Sequence, residues 1–210
     1  MQIPEMLKLM GNLSLGNDNI TEVEKDIFLQ YLNLAHLELY QITANFNQDL
    51  PIRFSLEIPA NTSSNDLKIN PYLINVVWDT TRKNKLKHKS LSVLIENSPD
   101  MEVSGAAQYY TIQKTKIIFS PVSVTGFKIS LYYVPQPEVL TIETDHIPYP
   151  LAYHPVLVDG ALYYLFQEEG GFKNMQKSQG AQERWEIGKT RLLSYLYNSS
   201  GERLSTFSNV

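Results

Sequence analysis

The chain contains no cysteine, which excludes disulfides and thiolate metal sites and leaves a reducing compartment or an assembled particle as its setting. Long apolar runs are missing too, and no stretch reaches the length of a transmembrane helix. The opening M-Q-I-P-E-M-L-K-L-M-G carries an early acid and no long apolar core, so a signal peptide is not expected. These absences predict a soluble chain with no membrane partner. Charge is scarce: 19% of residues are charged and the net charge is -4, whereas a protein that grips nucleic acid usually carries a basic face. The exception is the run Arg82-Lys83-Asn84-Lys85-Leu86-Lys87-His88-Lys89, and such a run is usually a solvated loop or a protected strand edge.

Local chemical motifs are absent as well. The four histidines, His36, His88, His146 and His154, form neither H-x-x-x-H nor H-E-x-x-H, so no zinc geometry is encoded locally. His36 borders an apolar stripe and reads as a boundary residue. There is no G-x-S-x-G elbow and no P-loop. Gly170-Gly171 follows a helical pattern and reads as a helix stop. Glu143, Asp145, Glu168 and Glu169 lie in polar stretches and read as solvated acids. No catalytic residue, cofactor or metal is expected from these patterns. A site assembled by folding around His146 and His154 stays open as an alternative.

What the chain does contain is apolar mass and a change of period. Hydrophobic residues make up 43% of the 210, and 13 are tyrosines, suited to half-buried sheet faces and subunit contacts. A first helix is expected from Pro4 through Met10, weakened by Gly11 and closed by Gly16. A second begins at Thr21, where Glu24 completes a capping box. Its apolar residues Phe28, Leu32, Ala35, Leu39, Ile42 and Phe46 recur at steps of four and three.

After Pro51 the period becomes two. Ile52, Phe54, Leu56 and Ile58 alternate with polar residues, a polar loop over Ala60 to Asp66 follows, and Leu73 to Trp78 form a strand with Ile74, Val76 and Trp78 on one face. The basic run is a loop or hairpin arm, and Leu91 to Ile95 is a short helix or a strand. From Tyr109 to Tyr133 the pattern is strand, turn, strand, turn, strand, ended by Pro135 and Pro137. Helical period returns after Pro150, with Leu157, Ala161, Tyr164 and Leu165 on one face and Gly160-Ala161 permitting close helix approach. A last helix carries Trp185, Gly188, Leu192 and Leu196. Each helix shows one apolar stripe, and none is stable alone.

The expected fold is therefore α+β: a four-helix bundle formed by N- and C-terminal helix pairs (1–48 and 148–198), an inserted antiparallel β-domain (49–147) and a mobile C-terminal tail (199–210).

Several of these segments resemble the head-to-tail adaptor (connector, gatekeeper-ring) proteins of tailed bacteriophages, particularly those of short-tailed phages. The resemblance runs through F-L-Q-Y-L-N-L-A-H-L-E-L (Phe28 to Leu39) and the hairpin carrying Tyr110, Ile112, Ile117, Phe119 and Pro121. It continues in L-Y-Y-V-P (Leu131 to Pro135) and in I-P-Y-P-L-A-Y-H-P-V-L-V-D-G-A-L (Ile147 to Leu162). It implies a non-enzymatic virion protein, assembled in the host cytoplasm. Such a protein forms a homo-oligomeric, commonly dodecameric, ring beneath the portal protein, extends the DNA channel, helps retain the genome and docks tail or nozzle proteins. Channel DNA would pass without specific binding, and mild acidity suits a wall that repels phosphate. On this reading Tyr197, Arg203, Leu204 and Phe207 are expected at the portal, while Asn61, Asp66, Lys83, Lys85 and Lys87 are expected to meet neighbouring subunits or the tail. The alternative is a nucleic-acid-binding module using residues 82–89.

Overall fold

The structure, a computed structural model, describes residues 1–17, 19–47, 50–97, 103–144, 146–169 and 172–199. It is mixed α+β, and the chain divides into two compact units: Met1–Asp49 with Pro137–Val210, and Leu50–Gln136.

The first unit is helical. Helix α1 (Ile3–Leu15) has proline in its first turn and ends on Gly16, whose φ of 70° is the left-handed conformation that glycine adopts without cost. Helix α2 (Glu22–Thr43) starts as the capping box dictates. Thr21 Oγ1 accepts the Glu24 N–H at 3.3 Å, and the Glu24 carboxylate accepts the Thr21 N–H at 2.7 Å. After the connection, a single 3-10 turn (Leu151–Tyr153) leads into α4 (His154–Glu169), and α5 (Phe172–Ser199) follows. The label α3 belongs to a helix of the second unit.

Ile3, Met6 and Met10 of α1, Phe28, Leu32, Ala35 and Leu39 of α2, and Trp185, Leu192 and Leu196 of α5 share one core with α4. Three expectations need correction. Helix α4 has no single stripe, because Val156, Leu157, Val158, Ala161, Leu162, Leu165 and Phe166 are all buried, so it is enclosed by its neighbours. Gly11 does more than weaken α1, since a Cβ there would stand 2.4 Å from Ile20 Cγ2 and 2.9 Å from the Asn17 carbonyl, where the chain turns back. His36 is not a boundary residue; it is buried beside Tyr40 and Tyr149. The Gly160-Ala161 step does permit close approach, with a Cβ at Gly160 falling 2.9 Å from the Trp185 ring and 3.0 Å from Ala35 Cβ. Gly170-Gly171 lie outside the described residues.

The irregular segment around Leu140 is clamped to α2. Asn33 Nδ2 donates to the Leu140 carbonyl at 3.0 Å, and the Leu140 N–H donates back to Asn33 Oδ1 at 2.7 Å. Leu140, Ile147 and Tyr149 are buried in the helical core.

The second unit is a seven-stranded sheet in the order β1-β7-β3-β4-β5-β6-β2. Its strands are β1 (Ile52–Ile58), β2 (Thr62–Asp66), β3 (Pro71–Asp79), β4 (Asn84–His88), β5 (Tyr109–Gln113), β6 (Lys116–Ser123) and β7 (Phe127–Pro135). The two edge strands, β1 and β2, are consecutive in the chain, so the sheet curls, and Asn65 Nδ2 of β2 donates to the Glu57 carbonyl of β1 at 3.1 Å. The enclosed core contains Ile58, Val77, Leu86, Ile117, Phe119, Phe127, Ile129 and Leu131, with the Phe119 and Phe127 rings edge to face at 5.3 Å.

This unit departs from expectation in three places. The sheet is not wholly antiparallel: β4 and β5 run parallel, which requires a long crossover, and the chain makes it through the short helix α3 (Leu91–Asn97), resolving the ambiguous Leu91 to Ile95 stretch. The polar loop from Ala60 to Asp66 is largely strand β2, an edge whose hydroxyl and amide side chains leave it half-wet. In β3 a register shift between Ile74 and Val76 puts Val77 in the core and Trp78 on the outside.

Candidate functional site

The basic run has two roles. Its first residue is turned inward. Asp79, fully buried at the end of β3, accepts the N–H groups of Thr81 (2.9 Å) and Arg82 (3.0 Å) on Oδ1 and the Arg82 guanidinium on Oδ2 at 3.1 Å. The same guanidinium donates to Ser123 Oγ at 2.6 Å and Thr125 Oγ1 at 3.1 Å and lies 5.3 Å from the Phe127 ring centroid. Arg82 therefore ties two turns together, β3–β4 and β6–β7. The sequence D-T-T-R carries the signal for this, an aspartate positioned to cap its own turn.

The remaining cations face out. Lys83 is exposed in the turn before β4, with a φ of 55°, and Lys85 and Lys87 alternate with the buried Leu86 on the exposed face of β4. Registers extend that face across four strands. Lys85 lies opposite Trp78, Trp78 opposite Ser130, and Ser130 opposite Ser55; in the next row Tyr132 faces both Val76 and Arg53. Trp78 and Tyr132 remain 38% and 40% exposed. Arg53 is held over the face by hydrogen bonds to Ser130 Oγ at 3.1 and 3.2 Å. Glu57, paired with Lys128 at 3.3 Å, is the one carboxylate that these four strands turn to this side. Beside it, β3 pairs with β4 only over Val77–Asp79, and the splayed strands leave an open cleft of about 650 Å³ lined in part by Tyr72, Ile74, Lys85 and Lys87.

Asn61 and Asp66 sit at the two ends of β2, exposed, with the Asn61 N–H donating to the Ser123 carbonyl at 2.8 Å. In the sheet, β5 and β6 separate β2 from the lysines of β4, so the five residues do not form one cluster. Tyr197 is half-buried on α5, its ring 6.1 Å from that of Phe46. Arg203, Leu204 and Phe207 lie outside the described residues.

A second surface was not anticipated. Val23, Ile27, Leu34 and Leu37 of α2 are 69%, 39%, 49% and 41% exposed. With Gln30 and Gln41 they recur at steps of four and three along the side of α2 opposite Phe28, Leu32, Ala35 and Leu39. That is the 3.5-residue period of a helix-packing seam. Its signal was present in the sequence, overlaid on the stronger inner stripe.

The titratable groups inside the helical unit hold the fold. His154 nitrogens are occupied by main chain: Nε2 is 2.9 Å from the Tyr149 carbonyl, and Nδ1 is 2.9 Å from the Met1 carbonyl and 3.2 Å from the Met1 amine. His146 is exposed, and no group of metal-ligating side chains occurs among the described residues. Burial pushes the His36 pKa down to about 4, against a hydrogen bond to the Glu138 backbone that favours the protonated ring. Burial would raise Glu38, but Lys189 at 2.7 Å and the Tyr164 hydroxyl hold its carboxyl below the ordinary range. No described helix is long and apolar enough to cross a membrane.

The chain belongs to the SU10 adaptor protein family, whose model matches residues 5–206. It is thus a structural adaptor of bacteriophages and a virion component, and the resemblance to short-tailed phage head-tail adaptors holds. Portal and tail proteins are the partners that the family implies. No curated protein matches the chain.

Proposed function

We propose that this chain forms a ring beneath the portal that joins the phage head to the tail, extends the DNA channel and helps retain the packaged genome. The observation that carries the reading is the family match over 5–206, which leaves almost no part of the chain for another role. In this proposal α1, α2, α4 and α5 make a four-helix bundle, and residues 50–136 are a domain inserted into it. The C-terminal stretch with Tyr197, Arg203, Leu204 and Phe207 docks on the portal. Asn61, Asp66, Lys83, Lys85 and Lys87 meet neighbouring subunits or tail proteins. The ring is dodecameric, and DNA passes without specific binding.

Electron micrographs of the purified chain mixed with its portal protein test this. Rings stacked on portal particles are the expected result. A chain that light scattering reports as a monomer at every concentration, with and without portal, would end the proposal.

A further inference from the structure

We infer that the outer seam of α2 in one copy docks on the basic, aromatic sheet face of the next copy, so that subunits join head to tail through two unlike surfaces. This rests on the ring reading above and specifies its contact.

The seam has the form of a packing ridge that no described residue covers. Six positions from Val23 to Gln41 span about 27 Å at 1.5 Å per residue, and four of them are exposed aliphatic side chains. A solvent-facing helix side normally carries charge at such positions. The charges lie instead on the rims. Asp26 and Glu38 flank the ridge and Glu22 and Glu24 stand in the first turn; Lys25 pairs with Glu22 and Lys189 with Glu38, so the balance along the ridge stays acidic. Two α2 seams packed on each other would bring acidic rims together, and like charges across an interface are costly. The symmetric α2–α2 pair is therefore disfavoured.

The complementary surface is on the same chain. The sheet face offers Trp78 and Tyr132 as apolar anchors, with Arg53, Lys85 and Lys87 around them and a cleft alongside to receive side chains. Aromatic anchors rimmed by cations match an aliphatic ridge rimmed by carboxylates in apolar character and in sign of charge. A contact between two different patches is heterologous, and repetition of it closes into a ring when the rotation per subunit permits. Aromatic residues beside lysines also suit single-stranded nucleic acid. The acid-rimmed ridge carried by the same chain favours a second copy.

The absence of native cysteine makes the test clean. A Gln30→Cys, Ser55→Cys double variant, which keeps Leu34 and Trp78 in place, should give a ladder of covalent multimers when treated with a bis-maleimide. Gln30→Cys and Ser55→Cys chains mixed in equal amounts should stop at one covalent heterodimer, and neither alone should cross-link. Dimers formed by Gln30→Cys alone would mean a symmetric α2 contact and overturn the inference. In parallel, Leu34→Glu and Trp78→Ala should each weaken self-association at least tenfold in sedimentation, with circular dichroism melting unchanged because both sites are exposed. If wild type assembles and both variants assemble equally well, the contact lies elsewhere while the ring reading survives. If wild type never assembles, with or without portal, both fall. Loss of DNA binding by Trp78→Ala with assembly intact would reassign the face to nucleic acid.

Discussion

At the scale of single residues, the structure depends on side chains whose surroundings fix their state. His36 is neutral inside the helical core, its pKa lowered from 6.5 to about 4 by burial. Above pH 6.5 it is uncharged whether the chain is folded or not. As pH falls through 6.5 the unfolded chain takes up a proton that the folded ring refuses, so stability declines until about pH 4. The expected loss from this group is about 3 kcal/mol. Urea midpoints of wild type and His36→Gln, compared from pH 7 to pH 4, should converge as wild type loses its share. Parallel curves would show that His36 is not the source.

Asp79 is a buried carboxylate held by hydrogen bonds from Thr81 and Arg82. Arg82→Ala would leave it buried with only two backbone N–H groups. The expected cost is about 3 kcal/mol, as for other broken buried pairs. Chemical denaturation checks it, and Arg82→Lys should recover only part, because an ammonium cannot span Asp79, Ser123 and Thr125 together. Gly160→Ala should cost about 1–3 kcal/mol through overpacking against Trp185 and Ala35.

At the scale of elements, the parts that were legible are those where one local rule acts alone. The capping box at Thr21 sets the start of α2, and Thr21→Ala should lower the thermal midpoint by the equivalent of about 1 kcal/mol. Alternation in Phe127 to Tyr133 gives β7 its inner and outer faces, and Pro135 ends it. Other elements depended on partners far along the chain. Strand β2 is polar throughout and is strand because β6 supplies its hydrogen bonds. The parallel pairing of β4 with β5 leaves no local trace, since Lys87 and Tyr109 meet only after the crossover through α3. Helix α4 has apolar residues on every side because three other helices surround it, and a single-stripe reading undercounts them. The surfaces were half legible. Lys83, Lys85 and Lys87 stand out in the sequence, but Trp78 and Tyr132 joined them only through registers and a bulge in β3.

At the scale of the whole molecule, two units with separate cores should behave as separable folding bodies. A fragment spanning 50–136 should give a strand-type circular dichroism spectrum and a cooperative melt of its own. A fragment without a transition would show that its core relies on the remainder of the chain. Deleting Leu50–Gln136 and joining α2 to the 137–149 stretch through a short linker should preserve helical content, since the helical core is built from residues 1–46 and 140–196.

The placement of the sheet between α2 and α4 has a price during synthesis. Phe28, Leu32 and Leu39 leave the ribosome roughly a hundred residues before α4 begins, and more again before Trp185 and Leu192 can cover them. At about 5–20 residues per second, that apolar ridge waits on the order of ten seconds without its neighbours. Nascent chains that stall before α5 has left the ribosome should thus be sticky and dependent on chaperones, whereas released full-length chains should not.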